Sequence, residues 1–340
     1  MEDFKTLSIF LLACCQVSLV HGQPTAPVER TGAEVADYIR YIEEDAASES
    51  KLQTATARFS RKDVIVDLVS VVHLGDAEYY GKLNDRLKDY DAVLYELVGG
   101  EFRKEDLDAD VDPVQGLQQL AKALLGLEFQ LETIDYEADN FVHADVDWTQ
   151  YEGLMEARNQ SFGTILERAM VLTEAGDNKG IAADEAAMNV LMNQLVSAVL
   201  TGNSSTLKRS LAPFLGEAEE LITEIEGEDG TVLITERNKV VMRRVNDMIA
   251  QGSKRLAVFY GAGHMPDLES RLLLEGFAKG ESVWVDAWVI SPVGSAMGAD
   301  SDDSPTDPTT SLLSPSSEIM GVLQKMSELM DALQRTQSQR

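Results

Sequence analysis

The chain has 340 residues, 44% of them hydrophobic and 26% charged, which is the balance of a soluble globular protein with one large domain or two small ones. A formal net charge of −29 argues against a nucleic-acid partner, because a phosphate backbone is bound by cations. The two cysteines, Cys14 and Cys15, lie near the N-terminus, so the chain beyond residue 22 offers no disulfide, thiolate ligand or thiol nucleophile.

Residues 7–20 form an apolar stretch too short for an ordinary membrane span. It reads as a secretory segment with a cut after Gly22, so residues 1–22 are expected to be a signal peptide and the protein to be exported, periplasmic or secreted. Leu11 to Cys14 also has the look of a bacterial lipoprotein box. In that second reading a lipid on Cys14 anchors the protein to a membrane.

Residues 23–30 read as a leader, and an α/β domain is expected over 31–291. Val35, Ile39 and Ile42 stand at helical spacing and predict a helix over 34–45. Residues 52–59, a polar turn at 60–63 and the β-branched run that ends at His73 predict a hairpin. A helix starting at Asp76 follows, with Leu83 and Leu87 one turn apart. Residues 91–98 then read as a buried strand carrying Glu96 and ended by Gly99 and Gly100.

A mostly helical insertion is expected over about 113–230. Leu117, Leu120, Leu124 and Leu127 make one apolar stripe, and residues 162–172 and 183–200 make others. Met188 and Met192 read as gap-filling core. Inside this stretch Asp147 and Gln150 form a capping box. His143 and Asp145 lie just before it; His143 is compatible with a third imidazole or an outer partner of the site, but reads first as a loop or edge-strand residue.

A helix over 236–250 begins with Arg237 and Asn238 and leads to a strand ending at His264. Pro266 suits the first turn of the next helix, 267–277, which Gly280 is expected to break before a strand at 282–290. This second strand–helix–strand unit repeats the plan of the first. The fold class is therefore α/β, a mixed sheet built from two similar strand–helix–strand halves with a mostly helical middle insertion. Residues 292–317 are rich in Ser, Asp, Pro, Thr and Gly and read as a disordered linker. Ile319, Val322, Met326, Leu329 and Leu333 put an apolar seam on a short helix over 318–335, suited to docking or weak self-association.

His73, Glu96 and His264 each end a strand-like run. If those strands are parallel neighbours, the three side chains meet at one edge of the sheet, where open α/β folds build their sites. Two imidazoles and a carboxylate suit Zn²⁺, Mn²⁺ or Co²⁺ with positions left for water. Glu96 is also a candidate general base. Gly261 and Gly263 are expected to take positive φ and approach a cofactor closely. Arg237 and Asn238 would orient a substrate or brace Glu96. The chain has no phosphate-cradling loop and no GxSxG elbow.

At these residues the chain resembles the TraB/PrgY/Tiki family, within a wider group that includes erythromycin-esterase-like and ChaN-like proteins. The resemblance rests on 72–80, on 91–96, on Glu236-Arg237-Asn238 and on 261–266, and spans roughly 52–290. Its two Gly-x-x-His motifs correspond to Gly261 with His264 and to His73 with Ser70 in place of glycine. Glu96 matches the acidic position, and Arg237 with Asn238 matches the helix start. The resemblance implies a mixed α/β fold and, in the Tiki branch, divalent-metal-dependent peptidase activity.

Two functions follow as expectations. The first is an exported metal-dependent hydrolase, a peptidase being one form of it, with a His73/Glu96/His264 centre acting on a peptide or small-molecule substrate. The second is a non-catalytic binding or regulatory protein that sequesters a peptide, a haem or another ligand on the same scaffold.

Overall fold

The computed structural model describes residues 38–45, 47–103, 125–175, 204–227 and 229–292. The expected signal peptide, lipoprotein box, linker and C-terminal helix lie outside them, as do the stripe at 117–124 and the one at 183–200.

In chain order the strands are β1 (Ile39–Ile42), β2 (Ser50–Arg61), β3 (Val64–Val71), β4 (Leu74–Gly75), β5 (Ala92–Tyr95), β6 (Glu128–Phe129), β7 (Phe141–His143), β8 (Arg255–Gly261) and β9 (Ala278–Ile290). The helices are α1 (Ala77–Leu87), α2 (Gln130–Thr133), α3 (Trp148–Ala157), α4 (Phe162–Ala175), α5 (Ser205–Gly216), α6 (Ala218–Glu226), α7 (Arg237–Ala250) and α8 (Met265–Leu274). The main sheet runs β1-β2-β3-β8-β5-β7, and β9 also pairs with β2. β4 and β6 form a separate two-stranded bridge.

The structure is thus a mixed α/β sheet. β3, β8, β5 and β7 are parallel, while β1, β2 and β9 pair antiparallel at the other side. β2 and β3 make the expected hairpin, turned at Lys62 with φ 56°. Neither strand–helix–strand unit pairs its own strands. β8 lies between β3 and β5, and β3 and β2 lie between β8 and β9.

Two expectations are corrected. Residues 39–42 are strand, because their β-branched and aromatic side chains complete the sheet against β2 rather than pack as a helix stripe. The turn after α8 is at Gly276, whose φ of 84° favours glycine, while Gly280 lies within β9. The segment 113–230 also carries β6 and β7, and β7 joins the main sheet beside β5.

The central parallel strands are apolar on both sides because helices cover both faces. On one face Leu68, Leu94, Leu256 and Val258 pack with Val241 and Val245 of α7 and Leu268 and Leu272 of α8. On the other, Val69, Val71, Val93 and Phe259 pack with Tyr79, Tyr80, Leu83 and Leu87 of α1. Each such side chain removed from water contributes about 1.5–3 kcal/mol. A third cluster, with Val146, Tyr151, Ile165, Ile225 and Val232, joins α3, α4 and α6 to the turn before α7. The capping box at α3 forms as expected, with Asp147 accepting from the Gln150 amide and the Gln150 side chain answering. Among the described residues no helix is long and apolar enough to cross a membrane.

Candidate active site

Four parallel strands each deliver one group just past the carboxyl end. His73 follows β3, Glu96 follows β5, Asp145 follows β7, and Gly261 ends β8 three residues before His264. The register makes them level. Val71 faces Gly261 across β3 and β8, and Tyr95 faces Phe259 on one side and His143 on the other. Parallel strands release their next residues on one edge, so polar groups gather there without breaking the apolar ladder beneath.

Arg237 stands at the middle of this group. The chain enters α7 through a π-helical turn, Val232–Glu236, started by Thr231, whose hydroxyl accepts from the Leu233 amide. The Glu236 amide reaches the Thr231 carbonyl at 3.1 Å. Such widened turns recur at functional sites, and this one sends Arg237 inward, 4% exposed. Its Nε donates to Asp145 Oδ1 at 2.9 Å, and its Nη2 donates to Asp145 Oδ2 at 2.5 Å and to Glu96 Oε1 at 2.7 Å. Nη1 donates to the Leu233 carbonyl at 3.1 Å and lies 3.4 Å from His264 Nε2. Burial opposes the guanidinium's charge, but Asp145 and Glu96 outweigh it, so its pKa is raised well above the ordinary value.

Glu96 is held from two sides. Oε1 takes Arg237 and lies 3.4 Å from His264 Nε2, while Oε2 accepts the Gly261 amide at 2.8 Å. Burial alone would raise its pKa. His264 and Arg237 outweigh burial and hold the carboxyl well below the usual carboxylate range.

His264 is fixed by Asn238. Its Nδ1 meets Asn238 Oδ1 at 2.7 Å, and Asn238 Nδ2 donates to the His264 carbonyl and to Asp267 Oδ2. An amide oxygen can only accept, so Nδ1 carries a hydrogen and Nε2 is the nitrogen turned toward Glu96 and Arg237. Asp267 is tied in turn to Arg271 at 2.6 Å. Asn238 and Arg237 have their donors engaged within the protein, where they brace the imidazole and the carboxylate.

The glycines act through size. Neither Gly261 nor Gly263 takes positive φ, contrary to expectation. A Cβ on Gly261 would stand 3.3 Å from Glu96 Oε2, so the bare backbone lets the carboxylate reach the amide. Gly263 lies beneath Ile222 of α6, 2.5 Å from where its Cβ would be, and is a packing position.

His73 is partly buried, and loss of water pushes its pKa below the ordinary imidazole value. Glu96 pulls the other way, and Arg237 and His264 add to the lowering, so all four groups feel one another. His143 is an edge-strand residue, as expected. Its Nε2 meets the Leu97 carbonyl at 2.7 Å and its ring lies edge-on to Tyr95 at 5.6 Å.

Asp145 is the member of this cluster to which sequence reasoning gives no role. Its side chain is wholly buried against Arg237. The available signal is an acid between Ala144 and Val146, two residues that the fold buries completely. The cluster of Asp145, Glu96 and Arg237 then holds two carboxylates against one guanidinium. A buried carboxylate is costly unless a cation balances it.

The second carboxylate, the imidazole of His264 and that of His73, which burial pushes toward its neutral form, are donors of the kind that a divalent ion takes. As the side chains stand, no group of three or more His, Cys, Asp or Glu among the described residues is arranged to hold one. Compared with family models, with curated proteins and with solved structures, the chain finds no match in any of the three.

Proposed function

We propose that the chain is an exported metal-dependent hydrolase with peptidase chemistry, on a scaffold resembling the TraB/PrgY/Tiki family. The observation that carries this is a pair of buried carboxylates on one guanidinium at the carboxyl ends of four parallel strands, beside two imidazoles. His73, Glu96 and His264 are the residues that would hold Zn²⁺, Mn²⁺ or Co²⁺. Such an ion acidifies a bound water and polarises a carbonyl. The two imidazoles follow corresponding strands, and we read the two strand–helix–strand units as diverged copies whose ends face each other.

The chain's own residues do the rest. Asp145 anchors Arg237, and Arg237 with the Gly261 amide keeps Glu96 ionised and in place. Glu96, being ionised, would hold the ion or, instead, serve as the general base beside it. Asn238 keeps hydrogen on Nδ1 of His264, so Nε2 faces the centre. None of these contacts needs to reorganise as a proton moves, which is how a preorganised site lowers a barrier.

The test is elemental analysis of the chain purified without chelators, with His73→Ala and His264→Ala beside it, followed by a peptide-cleavage screen. The expected result is about one divalent ion per chain, lost in both variants together with hydrolysis. A parent that stays metal-free after reconstitution with Mn²⁺, Co²⁺ and Zn²⁺ and cleaves nothing would overturn the reading in favour of ligand binding without catalysis.

A further inference from the structure

Of the two imidazoles, His264 is braced by Asn238. For His73 the chain following β6 supplies the corresponding group. The short β4–β6 bridge pairs Leu74 with Phe129 and Gly75 with Glu128, and so docks residues 128–130 directly beside His73. The Gln130 amide then donates to the His73 carbonyl at 3.0 Å.

The Gln130 side chain is 4% exposed. Its Nε2 donates to Tyr136 Oη at 2.7 Å. Tyr136 is itself wedged edge-on against Tyr95, at 5.1 Å between ring centroids, and against Phe141 at 5.6 Å. That holds the nitrogen end of the amide. The other end, Oε1, is buried and makes no hydrogen bond among the described residues. An amide oxygen left so costs about 1–3 kcal/mol, so the position needs a reason. The group beside it is the ring of His73, the residue whose carbonyl already holds the Gln130 amide.

We propose that Gln130 is the positioning residue of His73: its Oε1 accepts a hydrogen from one ring nitrogen and leaves the lone pair of the other for the centre. This repeats the Asn238–His264 arrangement with a carboxamide from a different part of the chain. It rests on the reading that His73 belongs to the centre. Imidazoles that bind metals or protons in a fixed direction are held in this way through the opposite nitrogen.

The experiment is long-range ¹H–¹⁵N correlation of the histidine rings in the full chain, metal-free, at about pH 8, above the ordinary imidazole range. The chain has only 4 histidines, so single His substitutions assign every ring. The parent should show His73 as one tautomer. Gln130→Met keeps the volume and removes the acceptor. It should shift His73 toward the other tautomer or a mixture while His264 stays unchanged, and Asn238→Leu should do the reverse. On adding Zn²⁺, Gln130→Met should bind about 10- to 100-fold more weakly than the parent.

An unchanged His73 ring pattern in Gln130→Met would overturn the proposal. Should that core position not tolerate Met, Tyr136→Phe releases the amide and is read the same way: a mixed His73 pattern supports the proposal and an unchanged one refutes it. The tautomer is measured without metal or turnover. Failure of the hydrolase reading therefore shows as a parent that binds no ion, and failure of the Gln130 assignment as an indifferent ring.

Discussion

Two aspartates of this sheet are buried against arginines, and they differ in what else is near. Asp67 lies within β3. Arg58 of β2 meets it with two bonds, Nε to Oδ1 and Nη2 to Oδ2, both 2.9 Å, and Tyr90 adds its hydroxyl at 2.7 Å. There one acid answers one base, and Arg58 keeps 45% of its side chain in water. Asp145 lies past the end of β7. Its arginine is 5% exposed and is shared with a second carboxylate, with two imidazoles alongside. The first pair is balanced and ties two strands together. The second sets two carboxylates on one guanidinium beside two imidazoles and sits at the end of the strands. A buried ion pair is thus weak testimony to function by itself, and the second carboxylate and the imidazoles are what set the Asp145 cluster apart.

The widest separation between the two is expected in stability. Arg237→Leu strands two carboxylates away from water and should lower the unfolding free energy by about 3–5 kcal/mol in denaturant titration. Arg58→Leu should cost about 1–3 kcal/mol, because Tyr90 still donates to Asp67 and water reaches the vacated side. Equal losses would mean that the Arg237 cluster is no more strongly coupled than an ordinary strut.

Ion binding sharpens the same comparison. Asp145→Asn removes one carboxylate and leaves Glu96 as the one acid on Arg237. Zn²⁺ affinity should fall about 10- to 100-fold by competition with a chelating dye, as for other outer partners of metal ligands. Asp67→Asn should lower stability and leave affinity as it was. A matching drop in both variants would show that the measurement tracks fold integrity and not the centre.

Much of this arrangement is legible in the amino-acid sequence. The β-branched runs ending at His73 and His264, the acid in an apolar strand at Glu96 and the Arg237–Asn238 helix start are local patterns, and local patterns survive folding. Asp145 is not legible as part of the site. It follows a strand of three residues, too short for an alternation to show, and its burial depends on Arg237, 92 residues away. The strand at 39–42 reads as helix because isoleucines three residues apart suit a helix stripe as well as one short edge strand, and only pairing with β2 decides. Arg237's direction is hidden too, since the widened turn before it shifts the helix phase and itself contains neither proline nor glycine.

The smallest expected effect is in pH, and it belongs to the centre alone because the Arg58–Asp67 pair has no imidazole. In the metal-free chain burial holds the His73 pKa below the ordinary value of about 6.5. As pH falls through 6.5 the unfolded chain takes up this proton and the folded chain does not. The unfolded state binds more protons there, so acidification destabilises the fold. Glu96 acts with the same sign lower down. Its folded pKa is depressed, so its contribution is complete above the unfolded value of about 4.3 and is lost as pH falls further, through the folded pKa. Stability should therefore be flat above neutrality and decline in two stages on the acid side. Denaturation midpoints at stepped pH would show this, and His73→Phe should flatten the upper stage while Glu96→Gln flattens the lower. A parent that becomes more stable between neutrality and pH 5 would mean that His73 is protonated in the fold, and the lone pair that the centre requires would not be there.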